Sequence, residues 1–135
     1  MVFLCNWCAT LAAELAGSNR LAYPAGVRVV KVPCAGRINP LHLLRALQNG
    51  ADGILVFGCH PGDCHYAKGN LLARRRLSVL KGLLEAVGME PARLQFSWVT
   101  ASEGSRFATL LDRAVQDVRT LGPNRKFVKN PAAAG

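Results

Sequence analysis

The chain has 135 residues, 50% of them hydrophobic, and its 17 Lys and Arg against 8 Asp and Glu give a formal net charge of +9. This length predicts one domain with its own core, and no apolar stretch approaches the roughly 20 residues that cross a bilayer, so we expect no membrane partner. The first predicted strand directly follows Met1. We therefore expect no signal peptide and a cytoplasmic protein with reduced thiols, in which the five cysteines are poorly explained as a disulfide framework.

Strands and helices alternate along the first half of the chain. The predicted strands are Val2–Cys5, Val27–Val32 and Gly53–Phe57. The second of these is nearly continuous in apolar residues, which favours a strand covered on both faces. Helices are predicted at Ala9–Ala16 and from Pro40 to about Asn49, with Asn39 as a suitable N-cap.

The same alternation continues in the second half. A leucine stripe predicts a helix from about Asn70 to Val87, followed by a strand at Leu94–Val99 and a helix from near Ser102 to Gly122. Four successive strand–helix units predict an α/β fold with a parallel four-stranded sheet, right-handed crossovers and helices on both faces, as in flavodoxin-like proteins. We expect one domain over residues 1–122 and a basic, flexible tail over 123–135.

Three cysteines follow the three predicted strands of the first half, namely Cys5, Cys34 and Cys59. Parallel strands end at one edge of a sheet, and in open α/β sheets the functional crevice lies at the carboxyl ends of the strands. Cys8 and Cys64 extend this set as a Cys-x2-Cys and a Cys-x4-Cys pair. The sequence therefore predicts that thiols converge at this edge as a metal or redox site.

Three kinds of site use thiols in this way. Zinc takes four ligands in a closed tetrahedron, usually from two Cys-x2-4-Cys loops, and the notable pair of that kind here is Cys5 and Cys8. A [2Fe–2S] cluster also takes four thiolates, and its bridged irons accept ligand pairs from separate loops, which fits the spacing somewhat better. A dithiol oxidoreductase would use Cys5 and Cys8 at a strand-to-helix turn, where a helix N-terminus lowers a thiol pKa. That interpretation leaves the other three cysteines without a role.

The basic excess is compatible with nucleic acid, an acidic protein surface or an anionic cofactor. Its densest parts are Arg74–Arg76 and a C-terminal group of Arg125, Lys126 and Lys129. No familiar nucleic-acid motif accompanies them, and we expect no nucleic-acid partner. A zinc-stabilised basic binding domain is the alternative to a redox protein.

Two motifs give the chain a family resemblance. The segments Cys5-Asn6-Trp7-Cys8 and Gly58-Cys59-His60-Pro61-Gly62-Asp63-Cys64-His65-Tyr66 closely resemble the delta subunit of methyl-viologen-reducing (F420-non-reducing) hydrogenase. The resemblance extends over roughly residues 3–122. Either cysteine pair alone would be weak, but their combination is specific.

The resemblance implies an electron-transfer subunit that holds one [2Fe–2S] cluster and performs no substrate chemistry of its own. Four of the five cysteines (Cys5, Cys8, Cys34, Cys59 and Cys64) would bind iron, and Pro61, Gly62 and Tyr66 would shape the cluster pocket or a contact surface. In this family the subunit passes electrons from a hydrogenase, or in related assemblies a formate dehydrogenase, to the flavin-containing A subunit of heterodisulfide reductase, which bifurcates them.

Overall fold

The computed structural model describes residues 1–18, 27–60 and 69–124. Within these residues four strands alternate with four α-helices. In chain order they are β1 (Val2–Cys5), α1 (Ala9–Ser18), β2 (Val29–Val32), α2 (Pro40–Gln48), β3 (Ile54–Gly58), α3 (Gly69–Ala86), β4 (Leu94–Trp98) and α4 (Gly104–Leu121). Short 3-10 helices precede α2 at Ala35–Arg37 and β4 at Pro91–Arg93.

The strands form one parallel sheet in the order β2-β1-β3-β4. Val2 on β1 pairs with Val29 on one side and with Leu55 on the other, so β1 and β3 are the central strands. Strand β2 thus lies on one side of β1, and β3 and β4 lie on the other. In parallel sheets this change of direction leaves a crevice at the carboxyl ends of the two central strands, here β1 and β3. This arrangement confirms the predicted α/β fold with a flavodoxin-like sheet.

Helices cover both faces of the sheet, as predicted. Successive side chains of a strand point to opposite faces, and Phe3 packs in the core under α2 and α3 whereas Leu4 packs in the core under α1 and α4. On the second face the rings of Phe57 and Phe107 lie 4.8 Å apart between β3 and α4. Burial of each such side chain contributes about 1.5–3 kcal/mol.

The prediction that the second strand is covered on both faces is wrong. This strand, β2, is shorter than expected and forms an edge of the sheet. Val29 is 53% exposed, and Lys31 is also exposed, with its Nζ 3.7 Å from Glu14 Oε1. Because β2 has a strand neighbour on one side only, the helices that cover the central strands leave it half exposed. A lysine on such an edge discourages pairing with another chain.

Local sequence signals predicted most helix ends to within a few residues of their observed positions. The side chain of Asn39 accepts a hydrogen bond from Leu41 N at 3.0 Å and caps α2, as expected. Gly50 and Gly88 follow α2 and α3 with φ of 101° and 97°, a conformation that side chains disfavour. The described helices include none that is both long enough and apolar enough to cross a membrane.

Buried polar side chains form hydrogen bonds with the backbone at the amino-terminal edge of the sheet. Arg93 is 2% exposed, and its guanidinium donates to Glu90 Oε2 at 2.8 Å and to the carbonyl of Asp52 at 2.7 Å. Asn124 is also buried, and its amide donates to Ala51 O at 3.2 Å. The packed part of the chain therefore extends two residues beyond the predicted boundary at residue 122. Residues 125–135 of the predicted tail lie outside the described residues.

Candidate metal centre

Cys5 and Cys59 meet at the carboxyl edge of the sheet. Cys5 is the last residue of β1, and Cys59 is the first residue after β3. Because β1 and β3 are neighbours, this brings the two sulfurs to 3.4 Å although 54 positions separate them in sequence. Both residues are buried, with 2% and 3% of their surface exposed. The predicted convergence therefore holds for this pair.

Cys34 and Cys8 lie at the same edge. Cys34 follows β2 by two residues and is buried, and its sulfur accepts a hydrogen bond from Gly36 N at 3.4 Å as the cap of a 3-10 helix. Cys8 is half-buried in the turn between β1 and α1, and its thiol is one of the groups that raise the pKa of Cys59. The structure thus places four of the five predicted thiols at one edge. Cys64, Pro61, Gly62 and Tyr66 lie outside the described residues.

The two central thiols differ in their preferred protonation. The hydrogen bond with Cys59 is the main cause that lowers the pKa of Cys5 to about 5; burial opposes it, and backbone N–H donors of Ala9, Cys8 and Trp7 lower it further. The hydrogen bond with Cys5, burial and the interaction with Cys8 raise the pKa of Cys59. The hydrogen bond between the two sulfurs therefore favours the thiolate form of Cys5 and the thiol form of Cys59. Both would have to be thiolates to bind a metal.

Polar side chains from two helices hold the segment that carries Cys59. From α3, Asn70 is 1% exposed, and its Nδ2 donates to Cys59 O at 2.7 Å. At the start of α4, Glu103 Oε1 lies 2.7 Å from His60 Nε2 and accepts from Thr100 N at 2.9 Å. The backbone of Thr100, burial and His60 shift the pKa of Glu103, with a net lowering. The carboxylate therefore stays ionised at neutral pH.

No sequence pattern predicted the contacts that Asn70 and Glu103 make with Cys59 and His60. Both residues lie within the part of the chain, roughly residues 3–122, over which the family resemblance extends. No spacing rule connects them with a cysteine 11 or 44 positions earlier.

The start of α3 also packs on the turn that follows Cys34. A β-carbon on Gly36 would lie 2.8 Å from the Cα of Gly69, so the two backbones are in direct contact. Arg76 Nη1 donates to Gly36 O at 2.6 Å across the same junction. One helix therefore contacts the Cys34 turn and, through Asn70, the Cys59 segment. Arg76, one of the three consecutive arginines of the basic excess, therefore contributes to this junction.

An aromatic and basic surface adjoins His60. The ring of Trp98, at the end of β4, has its centroid 6.4 Å from that of His60. The guanidinium carbon of Arg74 lies 5.0 Å from the centroid of the Trp98 ring, within the range of a cation–π interaction. The Trp98 ring thus lies between the positive charge of Arg74 and His60, the residue that follows Cys59.

The thiol pair fits two ligands of one metal ion. Two sulfurs bound to a tetrahedral metal at about 2.3 Å lie about 3.8 Å apart, close to the 3.4 Å between Cys5 and Cys59. Across residues 1–18, 27–60 and 69–124, no three Cys, His, Asp or Glu side chains form a set that could hold a metal ion. The described residues therefore supply a ligand-like pair, with Cys8 and Cys34 at the same edge, rather than a complete ligand set.

Comparison with known proteins identifies the family of this chain. A family model described as methyl-viologen-reducing hydrogenase, delta subunit, matches residues 1–122. The chain belongs to this family. The match includes all the strands and helices described above and all five cysteines. It confirms the resemblance predicted from the two cysteine motifs.

Curated relatives of this delta-subunit chain are of two kinds. The first kind consists of iron-sulfur subunits of F420-non-reducing hydrogenases. The one from Archaeoglobus profundus is 50% identical over 119 residues, which cover 88% of this chain and 87% of the relative. The iron-sulfur subunit of the vhc hydrogenase of Methanococcus voltae is 41% identical over 121 residues, covering 90% and 84%.

The second kind is a much larger protein. The A subunit of the Ferredoxin:CoB-CoM heterodisulfide reductase of Methanosarcina mazei is 43% identical over 123 residues, which cover 91% of this chain but 16% of that protein. A region similar to this whole domain is therefore part of a longer polypeptide in that relative.

Proposed function

We propose that this chain carries one [2Fe–2S] cluster and transfers electrons within a redox complex. The observation that carries the proposal is the contact between the Cys5 and Cys59 sulfurs at the carboxyl edge of the two central strands. The names of the relatives, which are iron-sulfur subunits of hydrogenases, support an iron centre over zinc. Four of Cys5, Cys8, Cys34, Cys59 and Cys64 would bind the irons.

The described residues suit this task. Backbone N–H groups of Trp7, Cys8 and Ala9 stabilise negative charge on the Cys5 sulfur, and burial excludes water from it. When bound, a [2Fe–2S] cluster supplies reversible one-electron chemistry. The chain would hold that group close to the protein surface, because Cys8 is only half-buried and Trp7 beside it is 41% exposed. This edge is then the surface that the electron partners contact.

The proposed partners are a hydrogenase module, or a formate dehydrogenase module, as electron donor and a heterodisulfide reductase A-type flavoprotein as acceptor in an electron-bifurcating complex. The Methanosarcina relative supports the acceptor, because a region similar to this chain is part of the heterodisulfide reductase polypeptide there. Such a fusion keeps two partners within reach of each other. We also propose a cytoplasmic location, because cysteines that bind iron as thiolates need a reducing compartment.

Metal and sulfide analysis of the full chain tests the proposal. Protein purified without oxygen should contain about two irons and two acid-labile sulfides per chain and give an electron paramagnetic resonance signal when reduced. Stoichiometric zinc without sulfide would contradict it and favour the zinc-stabilised domain. Serine substitution at each of the five cysteines should then separate the four ligands, whose loss removes the signal, from the fifth cysteine, whose loss does not.

A further inference from the structure

The carbonyl of Cys59 lies just beyond the hydrogen bonds of the sheet. The last paired carbonyl of β3 is that of Gly58, which accepts from Val99 N at 2.9 Å. The next carbonyl, that of Cys59, instead accepts from Asn70 Nδ2 at 2.7 Å in a buried contact. A side chain of α3 therefore takes the place of a strand neighbour at the cysteine itself.

This bond fixes the peptide that follows Cys59. The residue before Cys59 is held by the sheet, and the residue after it, His60, is held through its ring by Glu103. With its carbonyl held as well, the backbone of Cys59 is fixed in the orientation that directs its Cα–Cβ bond toward Cys5, and the two sulfurs lie 3.4 Å apart. The position of one ligand thus depends on a side chain 11 positions later in the sequence.

Asn70 also has a local role that could explain its burial. Its Oδ1 accepts from Leu71 N at 2.9 Å in the first turn of α3. Such a bond satisfies a helix-start N–H group and needs only a side-chain oxygen. Aspartate would keep that oxygen but would lose the N–H donor that Cys59 uses. The two roles are therefore separable by one substitution.

We infer that Asn70 is a positioning residue of the metal centre, whose amide orients Cys59 toward Cys5. This inference rests on the proposed function, because it assigns Cys59 as a ligand. Partners of metal ligands that do not touch the metal commonly contribute 10- to 100-fold to metal affinity, so removal of this donor should have an effect of about that size. Asn70 itself touches no metal in this assignment.

The test compares Asn70→Asp with a matched control, Asn124→Asp, in the full chain. Asn124 is also 1% exposed, and its Nδ2 also donates to a backbone carbonyl, that of Ala51, but at the opposite edge of the sheet. Both variants are loaded with iron and sulfide and challenged with an iron chelator. Asn70→Asp should lose its iron at a chelator concentration about 10- to 100-fold lower than the parent and show a changed electron paramagnetic resonance spectrum. Asn124→Asp should match the parent in both.

Equal behaviour of the two variants, whether both keep their iron or both lose it, would overturn the inference. If Asn70→Asp does not fold, Asn70→Ala is compared with Asn124→Ala under the same criteria, because each of these removes an amide donor without adding charge. The parent chain separates this test from the test of function. If the parent holds zinc without sulfide, the proposed function fails, and the retention of zinc by the same variants then decides the role of Asn70.

Discussion

Gly36→Ala should damage the contact between the Cys34 turn and the start of α3. The added methyl carbon would lie 2.8 Å from both the Cα and the carbonyl oxygen of Gly69. Carbon atoms pack at about 3.5–4.0 Å, so one backbone has to retreat by about 0.7 Å. Neither side can yield by a simple rotation of a side chain, because both contacting groups are backbone.

The expected cost is about 1–3 kcal/mol of the free energy of unfolding, the usual range for overpacking. For a domain of this size about 4 °C of melting temperature corresponds to 1 kcal/mol, so Gly36→Ala should melt roughly 4–12 °C below the parent. The assay is thermal unfolding followed by circular dichroism, together with iron retention against a chelator. Because Cys34 caps the displaced turn, retention should also fall.

Gly82→Ala, within α3, is the control for Gly36→Ala. A β-carbon there meets no atom within 4 Å, and replacing glycine by alanine inside a helix stabilises it by about 0.5–1 kcal/mol. This variant should melt above the parent and keep its iron. A Gly36→Ala chain that is as stable as the parent would refute the close contact between the two backbones. A destabilised chain with unchanged iron retention would refute its connection with the metal centre.

Two further substitutions test groups that no sequence pattern identified. Arg93→Met removes the donor to the carbonyls of Asp52 and Leu121, and leaving these acceptors unpaired should cost about 3 kcal/mol in urea unfolding. Glu103→Gln should cost about 1 kcal/mol at neutral pH, because Thr100 N and its neighbours favour the carboxylate. Since the folded-state pKa of Glu103 is lowered from 4.5, its contribution is present above that pH and is lost as the pH falls through the lowered value.

Each substitution has an outcome that contradicts the reasoning. Unchanged urea stability of Arg93→Met would show that the two carbonyls find other donors. For Glu103→Gln, the stability difference from the parent should shrink toward zero in acid. A difference that is constant from neutral pH down to well below pH 4.5 would contradict an ionised Glu103 in the folded state.

The sequence predicted the elements well because their signals are local. Asn39 before Pro40 marked the start of α2, and glycines marked the ends of α2 and α3. The same signals failed for β2, because a run of valines looks alike in a central strand and in an edge strand. Burial of a strand depends on its neighbours in the sheet, and the strand order β2-β1-β3-β4 appears only when the whole chain is folded.

The sequence by itself determined the fold class and the family, and it predicted the edge of the sheet at which Cys5, Cys34 and Cys59 lie, because alternating strands and helices admit few topologies and these cysteines stand at the ends of strands or just after them. Only the tertiary structure decided which thiols touch. Cys5 and Cys59 are in contact because β1 and β3 are neighbours, although β2 lies between them in the sequence. The supporting bonds of Asn70 and Glu103 also come from helices that the fold brings to this edge. Contacts of this kind depend on distances in space, which local sequence patterns do not contain.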